Sequence, residues 1–335
     1  MADYYSPIAY IVPPLEDGWQ LKTILQKRME VSRKLLSRLK QTEQGIMLNG
    51  KRVYISVRVA AGDTVEIRME QEVSEDILPQ PIPFAILYED EQLLVVNKEA
   101  GIIVHPTHGH YTDTLANGVV HYWAMRGERF RFRPVHRLDQ ETSGVLVIAK
   151  NPYAHQHISE QMIAGTVDKR YAALVHGVPA QPRGDIDGPI DRDPAEPHRR
   201  IVTPDGYPSL TRYEVKEIYS GGSRVELKLE SGRTHQIRVH MTSIGCPLIG
   251  DGMYRHSLYS ETVPGGGPAE AAQAGPLAQV AALDAAMPRQ ALHAVRLTFR
   301  HPVLLHEMTF EAPLPPDMAA LEQLLAEGGS GTDAM

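Results

Sequence analysis

Hydrophobic and polar positions along this chain follow two different rhythms, and the change falls near residue 75. In the first stretch, residues 19–29 have helical spacing. Ser32 then stands where an N-cap belongs, ahead of RKLLSRLKQ. At about 100° per residue, Leu35, Leu36 and Leu39 fall on one arc of that helix, and Arg33, Lys34, Arg38 and Lys40 fall on the opposite one. IMLNGKRV follows, with Asn49-Gly50 between two β-like runs. That is a hairpin signal, because both central residues of the tight turn need positive φ. A turn at Gly62-Asp63 leads into TVEIRME, an alternating strand, and the three prolines of residues 76–83 predict a linker.

Beyond the linker the runs are short, apolar and bounded by turn residues, as strands are. LLVVNK, GVLVIAK and KRYAALVHG are three of them, and TRYEVKEIY and SRVELKLE flank Gly221-Gly222 as a hairpin. ALHAVRLTF and EMTFEA supply late strands. Helices are expected at residues 154–164 and 234–243, and in PPDMAALEQLLAEG near the end. Strands do not alternate regularly with helices, which disfavours a doubly wound parallel sheet. The pattern predicts an α+β fold, a mixed and largely antiparallel central sheet flanked by helices and loops, plus a small α+β domain in front of it. The expected division is a module at 1–75, a linker at 76–83, a main domain at 84–316 and a C-terminal helix and tail at 317–335. Residues 261–288, rich in Gly, Ala and Pro, read as a mobile insertion; their GGG lacks the Lys-Ser/Thr of a phosphate loop.

Composition narrows the partners. The 335 residues are 42% hydrophobic and 22% charged, with mean hydropathy −0.27. No apolar run reaches the roughly 18 residues of a membrane span. MADYYSPIAY has neither the basic cap nor the apolar block of a secretory signal. A single cysteine, Cys246, leaves no internal disulfide and no zinc site built on several thiolates, so a cytoplasmic protein is expected; a monomer is a separate expectation. Net charge is −7, yet residues 21–68 hold 11 basic and 4 acidic side chains, making that segment +7 and the remainder −14. A basic module on an acidic body fits steering toward a polyanion, and it fits a solvated surface equally well.

Candidate chemistry concentrates in three stretches. In PVHRLDQETSGVLVIAK, Asp139 precedes a Thr-Ser-Gly turn that enters an apolar strand. A carboxylate fixed there suits nucleophilic or general-base work, although an Asp capping the turn has the same pattern. SGRTHQIRVH brings Arg233, Arg238 and two histidines to a helix start, and an Arg close to Asp139 would favour the ionised carboxyl. Tyr171 in KRYAALVHG is a core aromatic or a ring on which a flat base can stack. His105, His108 and His110 are close in sequence, but no cysteine or paired carboxylate completes a metal set, so no metal is expected.

Taken together, HRLDQETSG, KRYAALVHG and SGRTHQIRVH with IGCPLIGD resemble the three motifs of the RluA/RluD family of RNA pseudouridine synthases. VNKEAGIIVHP and GPIDRDP fit as well, and the likeness runs over residues 87–314. Glu99 departs from the proline usual in that family, and the insertion before Ala291 is long. The basic segment resembles the small RNA-binding module named after ribosomal protein S-four. The resemblance implies a pseudouridine synthase fold and isomerisation of uridine within RNA, without a cofactor. Asp139 is then catalytic, attacking the anomeric carbon or removing the 2′ proton. Arg137 fills the gap left by a flipped nucleotide, Tyr171 stacks on the uracil, Ile237 packs near it and Arg238 pairs with Asp139. Phosphate contacts are expected from Arg33, Lys34, Arg38, Lys40, Lys51 and Arg52, and from Arg192, Arg199 and Arg200. Ribosomal RNA of the large subunit is the first expectation for the partner and transfer RNA the second. A non-catalytic RNA-binding assembly factor and a metal-dependent hydrolase are the competing functions.

Overall fold

The computed structural model describes residues 3–259 and 275–329. The first unit comprises β1 (Ile8–Ile11), α1 (Leu21–Lys27), α2 (Arg33–Gln41), β2 (Ile46–Leu48), β3 (Lys51–Arg52) and β4 (Thr64–Ile67). Its four strands form an antiparallel sheet in the order β1-β4-β2-β3. The Ser32 hydroxyl caps α2 by accepting from the Leu35 amide at 3.2 Å. Leu35, Leu36 and Leu39 go inside with Ile24, Leu25, Val65 and Ile67, leaving the basic arc in water. At the hairpin Asn49 and Gly50 have φ of 50° and 74°, the handedness that a two-residue turn imposes. Asn49 also clamps the neighbouring turn, donating to Asp63 at 2.7 Å and accepting from the Thr64 amide at 2.8 Å.

The body continues through β5 (Ala85–Glu89), β6 (Leu93–Lys98), α3 (Leu115–Met125), β7 (Arg133–Pro134), β8 (Ser143–Ala149), α4 (Pro152–Ile163) and β9 (Asp168–His176). Next come β10 (Arg183–Asp187), β11 (Ile190–Arg192), β12 (Arg200–Val202), β13 (Leu210–Tyr219), β14 (Gly222–Leu229) and α5 (Gln236–Ser243). The last described elements are α6 (Pro276–Ala286), β15 (Leu292–Arg300), β16 (Glu307–Glu311) and α7 (Pro316–Gly329). Ten strands make one sheet, with the path β10-β13-β14-β9-β15-β8-β6-β5; β16 joins β15 and β7 joins β8. Among the described strands only β8 against β15 is parallel, so the sheet is mixed and mostly antiparallel. β8 is buried along its whole length, hence its unbroken apolar run. Among the described residues no helix is long and apolar enough to cross a membrane.

Two of the expected segments have structure of their own. Within the expected insertion, Pro276–Ala286 form α6. Pro276 opens that helix, alanines favour it, and Val280 and Leu283, three apart, give it an apolar face. Leu283 and Met287 pack with Leu174, Ile249, Met318 and Leu321, and Asp284 accepts from the Gly250 amide at 2.7 Å. The mobility expected of 261–274 lies outside the described residues. The linker expected at 76–83 is held against the body. Ile77 is buried in the main core, and the Asn117 amide on α3 donates to the Leu78 carbonyl at 2.7 Å.

The first unit is thereby seated on the body. Tyr153 donates to the Met29 carbonyl at 2.8 Å, Gln156 donates to Glu30 and accepts from the Ser32 amide, and Tyr5 stacks on Phe130. Glu72 joins both sides, binding Arg38 from the first unit and Arg131 and Arg133, at 3.4 and 2.5 Å, from the second.

Candidate active site

Asp139 sits in the loop that carries β7 into β8, and the loop is held from beneath by a buried amine. Lys98, at the end of β6, donates its three protons to the carbonyls of Glu99, Ile102 and Gln140 at 2.7, 2.8 and 2.9 Å. The Gln140 carbonyl also accepts from the Gly101 amide at 3.0 Å. Burial pushes the Lys98 ammonium down to about 7, against the fields of Glu141, Asp139 and Glu99 and with that of Arg289. Glu99, where the family usually has proline, takes part through its carbonyl, so the departure leaves this turn closed.

Asp139 lines a cavity of 970 Å³, together with Arg137, Tyr171, Ile237 and Arg238. The three motif stretches, far apart in the chain, thus converge on one concave surface. Arg238 reaches two carboxylates, Asp139 and Asp251. Its main partner is Asp251, reached through Nε at 2.7 Å and Nη2 at 2.8 Å, and Asp139 stands 3.7 Å from the remaining Nη1. The reason is geometric: a guanidinium fork matches one carboxylate two-to-two and leaves one edge over. Asp251 is itself fixed by the amides of Met253 and Tyr254. Burial works against the charge of Arg238, but Asp251 first and Asp139 after it outweigh burial and raise its pKa.

Tyr171 is 7% exposed, and among the described residues its hydroxyl has no hydrogen-bond partner. Burial, reinforced by Asp139, raises the phenol's pKa and keeps it protonated. Its position follows from β9, where period-two alternation sends residues 169, 171 and 173 to one face. His136 is pushed down to about 3 by burial and by the charge of Lys169; it is a neutral ring whose Nε2 accepts from the Val147 amide at 3.3 Å. His235, at the start of α5, adopts the left-handed φ of 56° and meets the Tyr254 hydroxyl at 3.0 Å. Burial lowers its pKa, opposed by Asp139.

Arg137 is exposed at the rim, with no side-chain partner among the described residues. Ile237 is buried at 3% exposure. The expected phosphate ligands divide. Arg33, Lys34, Lys40 and Lys51 are exposed and unpaired among the described residues. Arg38 is held by Glu72, and Arg52 donates to the Lys40 carbonyl at 3.3 Å. Arg192 is exposed, whereas Arg199 lies over the Tyr254 ring and Arg200 donates to nearby carbonyls. The three imidazoles do not converge. His105 lines the cavity and donates to the Pro106 carbonyl, while His108 meets the Tyr111 hydroxyl. Among the described residues no three His, Cys, Asp or Glu side chains gather as a metal ion would require. Lys98, Asp251 and Tyr254 were not singled out in sequence. Lys98 and Asp251 lay within quoted motifs, VNKEAG and IGCPLIGD, and Tyr254 just beyond the second, but nothing local assigned them a part.

Comparison with known proteins agrees with this geometry. The RNA pseudouridylate synthase family matches residues 92–243, a span holding both Asp139 and Arg238. The uncharacterized RNA pseudouridine synthase YjbO of Bacillus subtilis (strain 168) is 38% identical over 292 residues, 87% of this chain and 94% of its own. Ribosomal large subunit pseudouridine synthase D of Escherichia coli O157:H7 is 35% identical over 295 residues, 86% of each chain. Among solved structures, human RNA pseudouridylate synthase domain containing 1 superimposes with a TM-score of 0.53 at 26% identity, over 76% of this chain and 97% of its own. With this degree of identity along nearly its whole length, the chain belongs to the RluA family of RNA pseudouridine synthases and is an isomerase.

Proposed function

We propose that the protein isomerises specific uridines of large-subunit ribosomal RNA, with Asp139 as the catalytic group. The observation that carries the reading is the meeting of Asp139, Tyr171 and Arg238 on one cavity wall. A base stacked in a helix cannot turn, so the nucleotide leaves the stack first, at about a few kcal/mol. Arg137, free at the rim, occupies the gap. The uracil lies on the Tyr171 ring with Ile237 beside it, and the unmet phenol hydroxyl is available to it. Asp139 then acts on the sugar, either by attack at C1′, forming an ester that breaks when C5 bonds to C1′, or by removing the 2′ proton, which returns to C2′ as C5 bonds. The N1–C1′ bond breaks, the base rotates, C5 bonds to C1′, and the proton lost from C5 is balanced by one gained at N1. Arg238, locked by Asp251, keeps the free edge of its guanidinium toward Asp139 throughout.

Similarity to ribosomal large subunit pseudouridine synthase D supports the choice of RNA, and the exposed cations on α2 and β3 supply phosphate contacts. The test maps pseudouridine in total RNA from cells with and without the gene, then adds purified protein to the deficient RNA. Wild-type protein restores the missing ribosomal sites. Asp139→Asn loses about 10⁴-fold or more in rate, the scale of removing a nucleophile, and retains RNA binding. Normal turnover by the Asn variant overturns the assignment; missing sites confined to transfer RNA overturn the choice of substrate.

A further inference from the structure

One wall of the cavity is not needed by any step above. Lys169 lines it, two residues before Tyr171 on the same face of β9. Its ammonium is half-buried, and among the described residues it has neither a hydrogen bond nor a carboxylate within ion-pair distance. Glu230, the nearest acidic influence on it, is already engaged by Arg212 at 3.1 Å and Lys228 at 3.6 Å. Taking an ammonium partly out of water without a partner is unfavourable, so an anion supplied from outside is the natural complement. At the end of α4, Ile163 is 86% exposed and lines the same cavity. A lone exposed isoleucine is ordinary, but this one lines a concave site that also holds an unpaired cation.

We infer that Lys169 and Ile163 form a subsite for the nucleotide adjoining the target uridine. Lys169 takes the phosphodiester between the two nucleotides and Ile163 packs against the neighbouring base. Two residues of β-strand advance about 6.6 Å, so a base lying on Tyr171 puts its own backbone phosphate within reach of Nζ. The subsite therefore reads what is next to the target, where the Asp139 side of the cavity reads the target itself. This inference rests on the proposed function and deepens it.

The test uses the full chain with ribosomal RNA from cells lacking the gene. Lys169→Met raises KM roughly tenfold at low salt and lowers kcat by less than about twofold. The slope of log KM against log salt becomes shallower by about 0.7, the counterion release for one single-stranded phosphate. Lys169→Arg restores both. Ile163→Ser changes the relative rates at sites with different flanking bases several-fold. The melting temperature of Lys169→Met stays at the wild-type value or rises, because the variant removes an unpaired half-buried charge. An unchanged KM and salt slope in the Met variant overturns the subsite, as does a melting temperature that falls with KM intact. Asp139→Asn, run in parallel, separates the two failures: an inactive Asn variant beside an unaffected Met variant removes the subsite alone, and an active Asn variant removes the proposed function.

Discussion

Buried basic side chains occur in the ten-stranded body and not among those of the four-stranded unit. In the four-stranded unit none of the 11 between residues 21 and 68 is buried, and Arg33, Lys34, Lys40 and Lys51 have no side-chain partner among the described residues. In the ten-stranded body, Lys98, Lys150, Arg238 and Arg289 are all buried, and each is tied to carbonyls or carboxylates. One residue class thus performs two tasks. Exposed and unpaired, a cation contributes a long-range field that salt screens. Buried and paired, it is a strut whose loss leaves an uncompensated charge. Net charge counts both kinds alike, which is why a total of −7 conceals an exposed and unpaired basic surface.

The largest effect that can break this comparison is expected at the Arg238–Asp251 pair. Asp251→Asn removes the partner from a guanidinium that is almost wholly enclosed. Breaking a buried pair from one side costs about 3–5 kcal/mol, and the freed Arg238 is then drawn toward Asp139. Denaturant melts read the first effect, and single-turnover assays of folded protein read the second as a fall in rate. A variant as stable and active as wild type would mean that the body's cations are no more structural than those of the first unit.

A smaller effect, of a different kind, follows from neutralising Arg33, Lys34, Lys40 and Lys51 together as glutamines. Stability changes little, since nothing in the fold leans on them. KM rises at low salt, and its dependence on salt flattens by about 0.7 for each phosphate no longer neutralised, while the chemical step on bound RNA keeps its rate. Titrating KM and single-turnover rate at several salt concentrations checks this. A loss in the single-turnover rate itself would place these cations in the chemistry and erase the contrast.

What the chain displayed in advance divides along a similar line. The α2 cap, the Asn49-Gly50 hairpin and the strands around Gly221-Gly222 were legible because caps, turns and period are local signals. α3 escaped notice because Asn117-Gly118 is by itself a turn pair. Packing overrides it: a side chain at 118 would come within 2.8 Å of the Ile82 carbonyl, so glycine is there for close approach to the segment leading into β5. Likewise Asp139, Tyr171 and Arg238 stood out through their motifs. The bidentate claim of Asp251 on Arg238 crosses the turn after α5 and is visible only when the chain is folded. Lys98 was hidden by its type, since a lysine at the end of a strand is ordinarily a surface residue.

Glu72 stands where the two environments meet, and the smallest expected effect tests that boundary. Burial raises its carboxyl, but Arg38 and Arg133 more than offset this, so its pKa lies below the ordinary value of 4.5. A carboxyl depressed on folding stabilises fully above its unfolded pKa, and that contribution disappears as pH falls through the folded value. Glu72→Gln should therefore lower stability near pH 7 by about 1 kcal/mol, because two of its three arginines are largely solvated and such pairs are weak. The gap between variant and wild type should close below about pH 4.5 and narrow in high salt, as read by thermal melts across pH. A gap that persists at low pH would mean that Glu72 acts through packing rather than charge. The seating of the basic unit would then depend on Tyr153, Gln156 and the Tyr5–Phe130 stack alone.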